Sequence, residues 1–187
     1  MRRRSAASSN ADDPRPTLVL ANRSDIDLAR QVTAPGATWL DHRLVEREAM
    51  PLAAAGFGQE VRDAMAARAE HLVATGLARQ QGQTIIMQRD LLATLRRREL
   101  DSIGAALSAE TGLPYTQIGP SGVVSGTYRQ KLTLSSGRFA MIDDGLGFQL
   151  VPWSPSLESH IGREVSGIAR DSGGIDWSFA RQRGLGL

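Results

Sequence analysis

Apolar residues recur at helical spacing through the first two thirds of the chain and at strand spacing through the last third. Ile26, Leu28, Ala29 and Val32 form a partial apolar face that Ser24 is placed to cap and that Pro35-Gly36 ends. Trp39, Leu40, Leu44 and Val45 predict a second helix over 38–48. A third is marked by Phe57, Val61, Met65, Ala69, Leu72 and Val73, with Gly76 where a left-handed terminating residue belongs. Two short β-type runs, 77–79 and 84–88, flank a turn at Gln80-Gln81-Gly82-Gln83. Asp90 is then placed to cap a long helix carrying Leu91, Leu92, Leu95, Leu100, Ile103 and Leu107, which Gly112 and Pro114 end. Three helices followed by a hairpin is the order of a winged helix; a helical bundle with one incidental hairpin is the alternative.

Beyond this the period changes to two. Tyr128, Gln130, Leu132 and Leu134 alternate with Arg129, Lys131 and Thr133, which predicts one buried and one wet, cationic face. Turns at Ser135-Ser136-Gly137 and Asp143-Asp144-Gly145 separate this run from 138–142 and 148–151. Ser154, Pro155 and Gly162 frame a short helix carrying Leu157 and Ile161, and runs at 163–170 and 175–179 follow. Five strands with a helix between the third and fourth predict a small closed barrel, OB-like or, given its shortness, SH3-like. The expected fold class is therefore α+β. Residues 1–23 read as a disordered arm or linker, 24–113 as a helical, winged-helix-like domain, and 120–187 as a small β-barrel domain with a C-terminal tail.

The computed pI of 9.6 overstates the positive field, because the net charge is only +2 and 21 of the 22 basic residues are arginine. Residues 1–27 carry 5 basic and 4 acidic groups, 28–113 carry 10 of each, and 114–187 carry 7 and 6. Any nucleic-acid affinity must then come from local arrangement and not from bulk charge. No apolar run reaches the length of a membrane span and no signal-peptide pattern opens the chain, so a cytoplasmic protein without membrane insertion is expected. The absence of cysteine removes disulfides and thiolate metal sites.

Little of the sequence reads as catalytic. His42, His71 and His160 fall in different elements with no His-x-His, and no phosphate-binding glycine motif is present. Asp143-Asp144 near Glu158 read as turn residues and not as a metal site. Tyr115 and Tyr128 could be nucleophiles in principle, but Tyr128 lies on the apolar side of its strand. Arg96-Arg97-Arg98 is the densest charge run. It is either a solvated helix face or, with Arg79 and Arg89 around the hairpin, a phosphate-gripping surface, for which the planar arginine fork is suited. Arg129, Lys131 and Arg138, with Arg181 and Arg183 in the tail, form a second candidate surface. Trp153 and Trp177 could stack unpaired bases, although Trp153 after Leu150-Val151-Pro152 reads better as a core plug.

Several short motifs carry a resemblance. They are Ser-Gly-Thr-Tyr-Arg from Ser125, Ser-Gly-Arg-Phe-Ala-Met-Ile-Asp-Asp-Gly from Ser136, Leu150 to Trp153, Arg183-Gly-Leu-Gly-Leu, and upstream Val32 to Asp41 and Arg96 to Asp101. The chain over about 28–187 resembles the C-terminal domain of unknown function of plasmid conjugal-transfer relaxases, the mobilisation nucleases that nick DNA at the transfer origin. The resemblance implies that residues 1–23 join that domain to a nuclease and that Met1 begins a fragment or separately encoded piece. The family's nuclease needs a metal-holding histidine cluster, which this sequence lacks. The expectation is a non-catalytic accessory module without cofactor or metal, binding DNA or helping assemble the DNA-processing complex with a relaxase or other transfer proteins. The alternative is a protein-interaction or secretion-docking module with no DNA affinity of its own, for which the basic and apolar terminus from Arg181 to Leu187 would be a docking signal.

Overall fold

The computed structural model describes residues 25–46, 52, 55–171 and 173–179. The chain is α+β, with N-terminal helices followed by a five-stranded antiparallel sheet. Helices α1 (Leu28–Thr33), α2 (Trp39–Val45) and α3 (Phe57–Ala74) precede a two-stranded hairpin, β1 (Ala78–Gln81) and β2 (Thr84–Met87), and the long helix α4 (Leu91–Thr111). The sheet is built from β3 (Val123–Leu134), β4 (Gly137–Asp143), β5 (Phe148–Pro152), β6 (Glu164–Ala169) and β7 (Ile175–Ser178), with a 3-10 helix, Pro155–His160, between β5 and β6.

The expected arm over 1–23 lies outside the described residues, as does Ser24. The cap of α1 is instead Asp27, whose carboxylate accepts the Arg30 amide at 2.8 Å. Helix α2 ends at Val45, short of the expected 48, and opens with a capping box in which Thr38 and Asp41 satisfy each other's backbone amides. Asp90 and Ser154 occupy their expected N-cap positions but make no side-chain cap bond. Gly76 and Gly112 both take positive φ where the helix signals placed them.

The helical part is tied together by one arginine. Arg68 of α3 is fully buried, and each of its five N–H groups has an acceptor. Nε and one Nη2 hydrogen each reach an Asp41 carboxylate oxygen at 2.9 Å, Nη1 donates to the Val32 and Ala34 carbonyls at 3.2 and 2.7 Å, and Nη2 donates to Gly36 at 3.0 Å. A charge can stay in a dry interior when it is paired and saturated in this way. The Val32 to Asp41 motif thus wraps a guanidinium.

The expected barrel does not close. Strand order is β5-β4-β3-β6-β7, and β5 and β7 remain edges. The edge of β5 is occupied only at its first residue, where Thr116 N–H donates to the Phe148 carbonyl at 2.9 Å and Phe148 N–H to Pro114 at 3.0 Å. Pro152, at the far end of β5, has no amide to offer a further strand.

The expected alternation in β3 holds in exposure, with Arg129, Lys131 and Thr133 exposed and Tyr128, Gln130, Leu132 and Leu134 buried or half-buried, but the latter do not share one face. The pairing of β3 with β4 slips by one residue between Tyr128 and Gln130, leaving Arg129 as a bulge. A one-residue slip exchanges the faces of everything after it. Tyr128 therefore packs with Ile142, Val151 and Leu157 on one side of the sheet, whereas Leu132 packs with Met141, Phe148 and Leu150 on the other. Lys131 is exposed, as expected, and holds its ammonium 3.8 Å from the ring centre of Trp153. Trp153 itself is half-buried against the first cluster, as a core plug would be.

Helix α4 joins the two parts. Leu91 and Leu95 pack with Leu72 and Leu77 of the helical part, while Leu100, Ile103 and Leu107 cover Met141, Phe148 and Leu150 of the sheet. Between these faces the buried Glu99 carboxylate accepts the Ser135 and Ser136 amides of the β3–β4 turn at 2.8 and 2.9 Å. An added Cβ at Gly36 would overlap that carboxylate, so a side chain there would have to displace Glu99 from the turn amides.

Candidate nucleic-acid interface

The structure separates the candidate cations into two kinds. Those on the sheet are used internally. Arg129 Nε lies 2.8 Å from Asp143, Lys131 Nζ lies 3.3 Å from Glu158, and Arg138 holds Asp25 through two bonds of 3.0 Å. The Lys131 and Arg138 pairs are at the surface and contribute little stability, about 0–1 kcal/mol each, whereas Arg129 pairs with a buried carboxylate; all three cancel the local positive field. Arg79, Arg89, Arg96, Arg97 and Arg98 are all exposed, and none has an ion pair or side-chain hydrogen bond among the described residues. Arg181 and Arg183 lie outside the described residues.

Asp143 and Asp144 are turn residues, as expected. Asp143 accepts the Gly145 amide at 2.7 Å, and Asp144 accepts Leu146 and Gly147 at 2.9 and 2.8 Å. The Gly145 amide, assisted by the Arg129 guanidinium, holds the Asp143 carboxyl below the usual aspartate range against the opposing effect of burial. A carboxyl lowered in the folded state adds stability that is present above the unfolded aspartate pKa of about 4 and disappears as pH falls through the folded value. The stability advantage of the native chain over Asp143→Asn should accordingly shrink in urea melts as pH is taken below about 4. An advantage that is constant across that range would show that the turn does not bind the charged form preferentially.

The unpaired arginines do not form one patch. Successive side chains on a helix turn by about 100°. Arg96 and Arg97 border a recess against Tyr115, Gln117 and Ile118, whereas Arg98 lines neither this recess nor the cleft beside it. That cleft, about 360 Å³ in volume, lies in the seam left open between β5 and β7. Its walls are apolar, with Leu100 of α4, Ile118 and Pro120 of the linker, Leu150 and Pro152 of β5, and Ile175 of β7. The recess of about 230 Å³ adjoins it and shares Arg96, Leu100, Ile118 and Leu150. An added Cβ on Gly173 would lie 3.9 Å from Arg96 Nη1, so Arg96 reaches across the seam to the β6–β7 turn. Arg170, also at the cleft, is paired with Asp176. Sequence reasoning singled out Arg96 and Arg97 but not the cleft beside them, whose walls come from five separate segments.

Neither tyrosine hydroxyl is shifted toward its ionised form. Burial, opposed by a contact from Trp153, pushes the Tyr128 hydroxyl up. Burial and, to a lesser extent, the Asp101 charge push Tyr115 up to about 12. Tyr115 instead packs its ring against Phe148, 5.6 Å between centres, and against Gly104 of α4, where any side chain would collide with it. The three histidines sit on α2, α3 and the 3-10 helix. Among the described residues no group of three His, Asp or Glu side chains is placed to hold a metal ion, and no helix is long and apolar enough to cross a membrane.

An α+β chain with an arginine-lined cleft defines a class of fold and surface without a specified chemistry. The chain belongs to the DUF3363 family, described as proteins of unknown function, whose profile matches residues 4–186. No curated protein and no solved structure matches it.

Proposed function

We propose that this chain is a non-catalytic nucleic-acid-binding module of the DNA-processing complex that a conjugal-transfer relaxase assembles at a transfer origin. The observation carrying the reading is that Arg96 and Arg97 stand without carboxylate partners among the described residues beside an open cleft, while Arg129, Lys131 and Arg138 are neutralised. The relaxase context rests on the motif resemblance, and with it come a cytoplasmic location and partners in the transfer machinery. We read α1–α3 with the β1–β2 hairpin as winged-helix-like, with Arg79 and Arg89, exposed around that hairpin, as a separate phosphate contact. Nonspecific phosphate binding needs only such unneutralised arginines on an accessible face.

The test is a titration of single- and double-stranded DNA at several salt concentrations. Arg96→Ala with Arg97→Ala should weaken binding and reduce the slope of log K against log salt by about 0.9 per lost contact on duplex, or about 0.7 on a single strand. Both residues are exposed and alanine keeps helix propensity, so the melting temperature should hardly move. An unchanged slope would shift the contact surface to Arg98, Arg79 and Arg89. No binding by the unmutated protein at low salt would leave docking to a partner protein as the better account, and the apolar lining of the cleft favours that second reading.

A further inference from the structure

The cleft in the β5–β7 seam has the makings of a seat for a base, and this inference rests on the nucleic-acid reading just given. We propose that it receives one unpaired nucleobase of single-stranded DNA, with Arg96 closing over the base and Arg97 on the adjoining phosphate. Three observations lead there. The cleft volume of about 360 Å³ falls within the range of small-ligand pockets, roughly 300–1,000 Å³, and its walls, from Leu100, Ile118, Leu150 and Pro152, suit a flat, weakly polar ring. Its mouth is crossed by a guanidinium that no carboxylate among the described residues holds, and an arginine plane can stack on a base as well as grip phosphate. Charge is also unevenly placed around the rim. Arg96 and Arg97 lie on the α4 side, whereas Asp171 lies on the β6–β7 turn, so a phosphodiester backbone is drawn along α4 and kept off the opposite lip.

A base held in a duplex cannot enter such a seat without leaving its stack. The inference therefore predicts a preference for single strands that bulk charge would not produce. It also separates base from phosphate, because a strand of abasic sugar-phosphate carries the charge without the ring.

Three probes of equal length are needed, namely a thymidine oligonucleotide, an abasic strand and a duplex, each titrated by fluorescence anisotropy against the unmutated protein and Gly174→Phe. Gly174 lines the cleft, an added Cβ there meets nothing within 4 Å, and its φ is not in the left-handed region, so a ring is accommodated without backbone strain. The unmutated protein should bind the thymidine strand about tenfold or more tighter than the abasic strand. Gly174→Phe should bring the thymidine strand down to the abasic level with an unchanged melting temperature. Equal affinity of the unmutated protein for all three probes would overturn the base seat while leaving the phosphate-binding reading intact. A preference that survives in folded Gly174→Phe would overturn this cleft as its location. No binding of any probe at low salt would overturn both readings.

Discussion

Replacing Arg68 with alanine is expected to lower the unfolding free energy by about 3–5 kcal/mol, the usual cost of removing one partner from a buried ion pair. At roughly 2–4 °C per kcal/mol for a chain of this size, the melting temperature should fall by about 6–20 °C. The cause is specific. Asp41 would be left as a buried, unneutralised carboxylate accepting only from the Thr38 amide and hydroxyl, and the Val32, Ala34 and Gly36 carbonyls would lose their donors together. Arg68→Lys should recover little, because an ammonium has three donors at one point and cannot span acceptors arranged around a planar fork. Thermal and urea melts of both variants decide the matter. A midpoint for Arg68→Ala close to that of the unmutated chain would mean that the helical part does not depend on this centre.

The second large effect concerns the sheet. The strand pattern alone led to a barrel that folds by itself, and on that reading a fragment of residues 120–187 would melt cooperatively. The packing of α4 gives the opposite expectation. Without that helix, Met141, Phe148 and Leu150 lose the cover of Leu100, Ile103 and Leu107. Uncovering three large side chains at about 1.5–3 kcal/mol each is comparable with the whole stability of a small domain, about 5–15 kcal/mol. The fragment should show no sigmoidal transition by circular dichroism, and extending it to residues 90–187 should restore one. Cooperative melting of 120–187 would show that the far side of the sheet, around Val124, Tyr128, Ile142 and Val151, suffices as a core.

Two buried charges illustrate a signal that was present in the chain but incomplete. Val61, Met65, Arg68 and Leu72 follow at intervals of four, three and four, and Leu91, Leu95 and Glu99 at four and four. A charge in register with an apolar stripe signals burial, and burial of a charge requires a partner. The spacing could have marked Arg68 and Glu99, but not their partners. Asp41 is 27 residues before Arg68, and the Ser135 and Ser136 amides are 36 and 37 residues after Glu99.

The order and type of elements were determined by the sequence itself, because helical and strand periods, the glycines at 76 and 112 and the two tight turns act over a few residues and need no distant contact. The unpaired arginines on α4 were visible for the same reason. Tertiary structure decided whatever depended on a comparison between distant segments. The bulge at Arg129 reversed the faces of β3 because pairing with β4 placed Tyr128 in one core and Leu132 in the other. The barrel stayed open because β5 and β7 do not pair, and the 114–116 linker bridges β5 only at Phe148. The cleft exists only because that seam remained open beneath Arg96, so a surface read from charge alone became a pocket through a pairing that no local pattern encodes.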